Sequence, residues 1–590
     1  MSDNDWYTEK NETEDLIEYT LDRRQFLAVS STLTGVTLAG CLGDGDGDDG
    51  SSGDDAADDV SDDDRTVRLN IALPNEVWNL DPGLSTNTSD DWVNHQLYEA
   101  PTRVTPEVTI EPQLATSLPD GENDAREFTY EFPSGIEFHN GKEMKAEDWL
   151  YSLEWMMDPD HKSPIQSRIF PQTEGGEIID DYTFKIIQKE PFATWNAWVQ
   201  RGLKIVPKDV REGEPGEYGG PTGLSTKLTK DPSGAGSGPF QFVEWVDGQN
   251  ILIEAYDNYR DDDLPMVDEI KYSFVEETST RISQLRSGNQ DIIALVPPKD
   301  VEQINSAPDS TAETGPGRFQ FRLWPNLQPV EGNPMSNIHN RKAIHYGIDR
   351  LDVIDNVYYG TAEQALGVWH PDSEDTSPRI QELNGQDIRD LDKARDHLEQ
   401  AGNPDGFELE LLVTSEEIYR NSAVRFQNHL SEIGIDLTVN TIERGSFYNQ
   451  MYEQPDWQLL GDGWGYGVPV ISYPLYGDFG TNTGNHVHWH HPSDDLPEGY
   501  IPGGPPVPDE YADEYEWSQK WFRDRLDEGR QTTDDQKRRE IFWELDEYAL
   551  DNCCEFNICY EAEINGWNSA LENFAPSGIR KKLDNVSVNQ

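Results

Sequence analysis

Basic residues are scarce in this 590-residue chain. It carries 46 lysines and arginines against 113 acidic residues, a formal charge of −67, and only 18 of the 46 are lysine. No basic stripe is present to neutralise phosphates, which excludes nucleic acid as a partner. Long apolar runs are missing after residue 43, and a membrane-spanning helix needs about 20 mostly apolar residues. Cysteine is rare: Cys41, Cys553, Cys554 and Cys559 are the whole complement, and no CxxC pair marks a zinc or redox site. Nucleophile and phosphate motifs also fail. Ser237 is flanked by glycines, but Ala235 stands two before it, so there is no G-x-S-x-G elbow. Gly135 to Lys142 is one residue too long for a phosphate loop and runs into Glu143. Acids are so abundant that no carboxylate pair points to general acid–base chemistry. These absences set binding ahead of catalysis, and no motif calls for a cofactor.

The acid is spread along the whole chain rather than gathered in one tail. So much like charge destabilises a compact state in dilute buffer. At 1 M salt the screening length is about 3 Å and the repulsion largely vanishes. The composition therefore predicts a protein built for a salt-saturated, haloarchaeal setting.

The segment DRRQFLAVSSTLTGVTLAGCLGDGDGDDG, residues 22–50, places two arginines before a short apolar run. That order is the signature of an export signal. Arg23-Arg24 with Gln25, Phe26 and Leu27 resembles a twin-arginine address. Leu38-Ala39-Gly40-Cys41 resembles a lipobox, which implies cleavage before Cys41 and lipid on its sulfur and new amino terminus. A buried N-terminal helix with an ordinary cysteine is the plain alternative. Residues 43–64 hold 11 aspartates and almost nothing apolar, too little to offset the entropy of ordering. As a flexible coil the segment reaches roughly 25 Å, more with charge repulsion. We read 1–40 as signal and 41–65 as a tether. Two acyl chains would anchor it stably.

Beyond the tether, alternation predicts strands at 65–73, 250–256, 269–275, 407–413 and 435–442. Residues 126–139 read as a hairpin about Pro133-Ser134-Gly135. Helical spacing marks 145–157, with Trp149, Leu150, Leu153, Met156 and Met157 on one face and Asp158-Pro159 ending it. Further helices are predicted at 280–285, 341–347, 349–358 with Asp349 as cap, 391–400 closed by Ala401-Gly402, 423–432 and 537–550. Strands alternating with helices argue for α/β layers. Residues 211–237 and 483–513, rich in glycine, proline and acid, read as loops. A bridge from Cys553 or Cys554 to Cys559 is one option outside a cell; burial as small apolar groups is the other.

Several segments, in order, resemble one family. Asn79-Leu80-Asp81-Pro82 with Gln96-Leu97-Tyr98-Glu99 resembles its opening strand, loop and helix, and Ile110 to Ala115 its "PxLA" turn. FTYEFPSGIEFHNGKEMKAEDWLYSL, residues 128–153, resembles its most recognisable motif. Gly236-Ser237-Gly238-Pro239-Phe240, Tyr256 to Tyr259, Arg341 to Arg350, Asp392 to Gly402 and LLGDGW at 459–464 follow in register. The chain is thereby identified, by resemblance over about 67–590, as similar to the family 5 extracellular solute-binding proteins of ABC importers, the oligopeptide- and dipeptide-binding class.

The resemblance implies an α/β, two-lobed periplasmic-binding-protein-like fold with a small inserted subdomain and a ligand cleft between the lobes. One lobe would comprise 66–105, 231–315 and 546–590, with 106–230 inserted, and the other 316–545. Trp464 would end a strand entering the cleft, with Tyr466 just beyond. The family's peptide binders place an aspartate shortly after that tryptophan to pair with the ligand's amino terminus. Here Gly465-Tyr466-Gly467-Val468-Pro469 follows, and Asp462 stands two residues before instead. Phe321, Trp324 and Asn326, on the strand entering the second lobe, complete the candidate set. The expected ligand is a peptide or another small solute; a sugar stacked on Trp464 and Tyr466 is an alternative, as is ordinary packing of these rings. His486, His488 and His490 alternate in Asn485 to His491, and on a strand they would offer imidazoles to zinc, nickel or copper. A solvent-facing loop is the alternative there, and a secreted enzyme is the remaining one for the chain. The implied partners are two permease subunits and two ATPases, with the protein a monomer held at the outer face of the membrane.

Overall fold

The computed structural model describes residues 66–590 apart from 86, 106–107, 162, 164–169, 171, 212–226, 329–331, 454–456, 466–467, 480–504, 516–517, 577–580, 582 and 589–590. Arg23, Arg24, Cys41, the tether, Tyr466, His486, His488 and His490 lie outside the described residues.

Strands rich in alternating aliphatic residues build one mixed sheet. Its path runs Asp436–Ile442, Glu408–Thr414, Leu459–Gly465, Ser310–Pro325, Phe556–Asn568, Ile292–Ile293, Arg68–Leu73, Glu269–Phe274, Asn250–Ala255, Phe240–Val246. The short strand Glu363–Gln364 adds to Phe556–Asn568. Two groups of parallel strands stand in the two halves of this path, the one around Arg68–Leu73 flanked by the antiparallel strands Asn250–Ala255 and Phe240–Val246. Glu408–Thr414 pairs in parallel with both Asp436–Ile442 and Leu459–Gly465, and Arg68–Leu73 with both Ile292–Ile293 and Glu269–Phe274.

Parallel strands need cover on both faces, and each half has it. In the first half Leu69, Ile71 and Tyr272 pack with Trp92, Val93 and Leu97 of helix Thr88–Leu97. Ala72 and Ile293 pack on the other face with Ile282, Leu285 and Ile304. In the second half Leu409, Leu411 and Val413 meet Ala343, Ile344, Phe426 and Leu430. Its other face is built from Trp324, Leu460, Phe447, Met451, Trp521 and Phe542. Each fully buried leucine, isoleucine, valine, phenylalanine or methionine among them contributes about 1.5–3 kcal/mol.

The inserted segment folds on its own three-stranded sheet, ordered Glu127–Glu131, Thr183–Gln188, Thr173–Asp180. Helix Ala146–Met157 covers it with Trp149, Leu153 and Met156 buried. Its start is a capping arrangement, the Lys145 backbone N–H donating to Asp148 at 3.0 Å, which satisfies an otherwise orphan donor. The expected hairpin over 126–139 does not form. Glu127–Glu131 pairs with Thr183–Gln188, and the run after Pro133 makes only an isolated bridge, Glu137 to Glu143. Non-local pairing to a strand more than fifty residues away overrides the local turn signal. Val468, Val470 and Tyr473 of the second half pack against this insert's core.

Two long strands carry the chain between the halves. Ser310–Gly315 pairs with Glu563–Asn568, and Phe319–Leu323 with Phe556–Glu561; the ladder is interrupted between Gly315 and Phe319. A Cβ at Gly317 would overlap the carbonyl oxygen of Glu561, so the close approach at this interruption requires glycine. Within 546–590, therefore, the strand Phe556–Asn568 is shared by both halves. Cys553, Cys554 and Cys559 are free and buried. Cys553 and Cys559 face one core of the second half and Cys554 the other.

Candidate ligand-binding site

Ligands of open α/β sheets bind outside the carboxyl ends of the strands. In the second half those ends are Thr414, Ile442 and Gly465. The residues that follow bring charge to one place. Thr414 donates its hydroxyl to Asp462 at 2.8 Å. Arg444, just after Ile442, reaches Asp462 at 3.2 Å and Glu416 at 2.8 Å. Glu561, at the point where its strand leaves this half, accepts from the Tyr358 hydroxyl at 2.6 Å and the Tyr419 hydroxyl at 3.1 Å.

The positions have local causes. Tyr419 lies in the first turn of helix Glu417–Ser431, and its ring stacks on Phe321 at 4.9 Å. Gly463 makes room above: a Cβ there would overlap the Tyr419 hydroxyl and lie 3.2 Å from Glu561 Oε2. The Glu561 carboxylate thus reaches across strand Ser310–Pro325 to lie over the residue next to Asp462. Glu561 and Trp464 keep part of their surface open, whereas Asp462 is fully buried.

Burial dominates the titration of these acids. It pushes the Glu561 carboxyl up to about 7 in spite of its two tyrosine hydrogen bonds. It pushes Asp462 up to about 6 against the opposing pull of Arg444 and Thr414. At Glu416 burial is again the largest influence and acts upward, but Arg444 and the hydrogen bonds, that of Thr414 among them, together outweigh it and the carboxyl is held low. Glu561 and Asp462 are therefore both harder to ionise here than in water, with burial as the cause.

The remaining expected residues sit deeper. Phe321 is fully buried between Tyr419 and Phe426. Trp324 is fully buried, donates to Asp478 at 3.3 Å, and meets Trp464 edge-on with ring centroids 6.3 Å apart. Asn326 is fully buried and ties backbone together through the carbonyl of Trp457 at 2.9 Å and the N–H of Gln328 at 3.0 Å. Asp462 and Trp464 lie at the strand ends with Glu416, Tyr419, Arg444 and Glu561. Sequence reasoning missed the last four. One signal was present: Glu561 and Glu563 interrupt the otherwise uncharged run Phe556–Asn568 at alternate positions, in a strand buried on both faces.

Behind the site is a second charged group, wholly internal. Arg322 is paired with Asp478, with Glu555 at 3.2 Å and with the Gln320 amide oxygen at 2.5 Å. Burial pushes both Glu555 and the nearby Asp546 up to about 7. Contacts also link the two sides of the cleft. Lys299 Nζ lies 3.0 Å from Glu417, the Ala193 N–H donates to the Arg530 carbonyl at 3.2 Å, and Trp198 and Tyr473 have ring centroids 5.3 Å apart. Among the described residues one group has metal-ligand geometry: Glu363, His370 and Asp372 place ligand atoms within 4.8 Å of one another.

Together the fold and the strand-end site define a two-lobed solute-binding protein with its ligand cleft between the lobes. Residues 109–486 match the family described as bacterial extracellular solute-binding proteins, family 5 middle, and the chain belongs to that family. The oligopeptide-binding protein OppA of Bacillus subtilis (strain 168) is 22% identical over 469 residues, covering 72% of this chain and 80% of that one. The periplasmic binding protein DppA from Helicobacter pylori, solved with the peptide STSA, superposes with a TM-score of 0.70 at 22% identity, over 89% of this chain and 98% of that one. NikZ from Campylobacter jejuni, solved with Ni(L-His), gives a TM-score of 0.67 at 19% identity, over 88% and 96%. A peptide and a nickel–histidine complex thus occupy the same architecture, and the fold alone does not select a ligand.

Proposed function

We propose that this chain is the capture component of an ABC importer for peptides or a similar small solute, held at the outer face of the membrane through a lipid on Cys41 after twin-arginine export by Arg23 and Arg24. We take the lobes as 66–105, 231–315 and 546–590 with the insert 106–230, and 316–545, with the stretch from Tyr548 to Cys559 packing into the cores of the second lobe. The observation that carries the reading is the convergence of Asp462, Glu561, Arg444 and Trp464 where two strands pass from one half to the other. Closing such a cleft excludes water and strengthens each polar contact inside it. The chain works as a monomer and hands its solute unchanged to permease and ATPase subunits.

Native mass spectrometry of protein purified in molar KCl tests the capture step. The expected result is a bound small molecule released intact, with a smaller radius of gyration when it is present. A folded protein that binds no member of a peptide library and never changes its radius would refute capture. The anchor is tested separately: Cys41→Ala protein is expected in the medium rather than on the membrane.

A further inference from the structure

The segment 468–473 of the second half packs in two directions. Val468 and Val470 join the core of the insert, Ile471 belongs to a core of the second half, and Tyr473 touches both. Val468 is fully buried. The insert meets this segment with Phe192 to Trp198. The Trp198 and Tyr473 rings are tilted at 53° with centroids 5.3 Å apart. The Arg530 guanidinium stands 5.6 Å from the centre of the Phe192 ring, and the Arg530 carbonyl accepts the Ala193 N–H at 3.2 Å. One oxygen of Asp527 accepts from Arg530 at 2.9 Å and from the Tyr476 hydroxyl at 2.5 Å, which holds Arg530 in place.

The insert is bound to the first half in a different way. Arg211 is paired with Asp81, both side chains buried, and its guanidinium lies 3.4 Å from the centre of the Trp155 ring. The Ser163 hydroxyl donates to the Gly83 carbonyl at 2.6 Å, the His139 N–H to the Gly236 carbonyl at 2.8 Å, and the Tyr256 hydroxyl to the Phe138 carbonyl at 2.8 Å. Parting these surfaces would break a buried charge pair, which is costly. Parting the insert from 468–473 exposes aliphatic and aromatic surface and frees the Ala193 hydrogen bond, which water can replace. The second contact is the one that yields when the lobes separate.

We propose that this contact is a latch: Val468, Val470 and Tyr473 seat against the insert around Trp198 and hold the lobes closed from outside the strand-end site. The inference rests on the capture reading, in which the lobes open and close. The ion pair Lys299–Glu417 across the cleft contributes little in molar salt, because both side chains are about half exposed and the screening length there is about 3 Å. Burial of apolar surface is not screened. The latch sets what fraction of the empty protein is closed, and the apparent affinity for a solute that binds only the closed form scales with that fraction.

The test needs no solute. Amide hydrogen exchange and small-angle X-ray scattering are measured in molar KCl on the full chain: wild type, Tyr473→Ala, Val470→Asp and, as a control, Lys299→Ala. The Ala193 amide is expected to exchange roughly tenfold faster or more in Tyr473→Ala and Val470→Asp than in wild type, with a larger radius of gyration, while Lys299→Ala changes neither. Amides of Glu127–Glu131 and Leu459–Gly465 should keep their wild-type rates, which shows that the insert and the second half remain folded. Four results overturn the latch: an Ala193 amide already unprotected in wild type, unchanged exchange in both latch variants, an equal response to Lys299→Ala, or protection lost throughout the insert. The last would make 468–473 a permanent part of the insert's core. Capture is judged separately by native mass spectrometry, so a latch that opens as expected in a protein that binds nothing refutes capture alone.

Discussion

Replacing Asp546 by asparagine should stabilise the protein at high pH and do nothing at low pH. Asp546 is buried on helix Asp535–Asp551. One oxygen accepts the Val368 N–H at 3.0 Å; the other, without a hydrogen-bond partner, faces Gly367, where a Cβ would lie 2.5 Å away. Burial lifts its carboxyl from 3.8 to about 7, and Arg322 only weakly opposes this. A carboxyl raised on folding favours the folded state fully below about pH 4, and that contribution is lost as pH rises towards 7. At ~1.4 kcal/mol per pH unit the loss at pH 8 is at most roughly 4 kcal/mol. Asparagine keeps the acceptor for Val368 and carries no charge at any pH. Denaturant midpoints in molar KCl, followed by tryptophan fluorescence, should therefore coincide with wild type near pH 4 and exceed it at pH 8 by about 1–4 kcal/mol. A variant weakened equally at both pH values would show that Asp546 is ionised and paired with Arg322, and would refute the reasoning.

Three further outcomes are expected. Gly463→Ala should displace Tyr419 from Glu561 and its stacking on Phe321, costing about 2–4 kcal/mol, and adding Tyr419→Phe should cost little more, since both changes remove one contact; additive losses in denaturation would contradict this. Arg322→Met leaves Asp478 and Glu555 without their shared guanidinium inside the protein and should cost about 3–5 kcal/mol, most of it regained when both acids are made amides; a mild single variant would mean those acids are neutral. Lys299→Ala breaks a bridge whose side chains are 45% and 61% exposed, so stability in molar salt should move by less than about 0.5 kcal/mol, and a melting shift of many degrees would mark Lys299 as something other than a surface partner.

What was legible beforehand was local. Helix Ala146–Met157 declared itself by spacing and by Asp158-Pro159, and Asp349 does accept the Asp352 N–H at 2.8 Å as a cap should. The strands Glu408–Thr414 and Asp436–Ile442 stand within a residue of their alternating patterns. The hairpin at 126–139 failed because pairing partners far along the chain leave no mark on a short window. The same limit hid the site. Phe321 and Trp324 do lie on the strand expected to enter the second lobe, and Asn326 stands one residue past its end, but alternation along a strand says which residues share a face, not which face meets the cleft. Glu561 is chemically special only because Tyr358, Tyr419 and Asp462 surround it, and those three are separated from it by 99 to 203 positions in the chain.

The route of the two long strands also bears on how the molecule is made. Strands Arg68–Leu73, Ile292–Ile293 and Ser310–Gly315 all emerge from the ribosome before the residues, Glu563–Asn568, that close the gap between the last two. The excursion from Phe319 to Glu561, by contrast, begins and ends on adjacent positions of one antiparallel pair. The half synthesised second is therefore the first that can be completed, and the half synthesised first waits, one strand short, until almost the whole polypeptide exists.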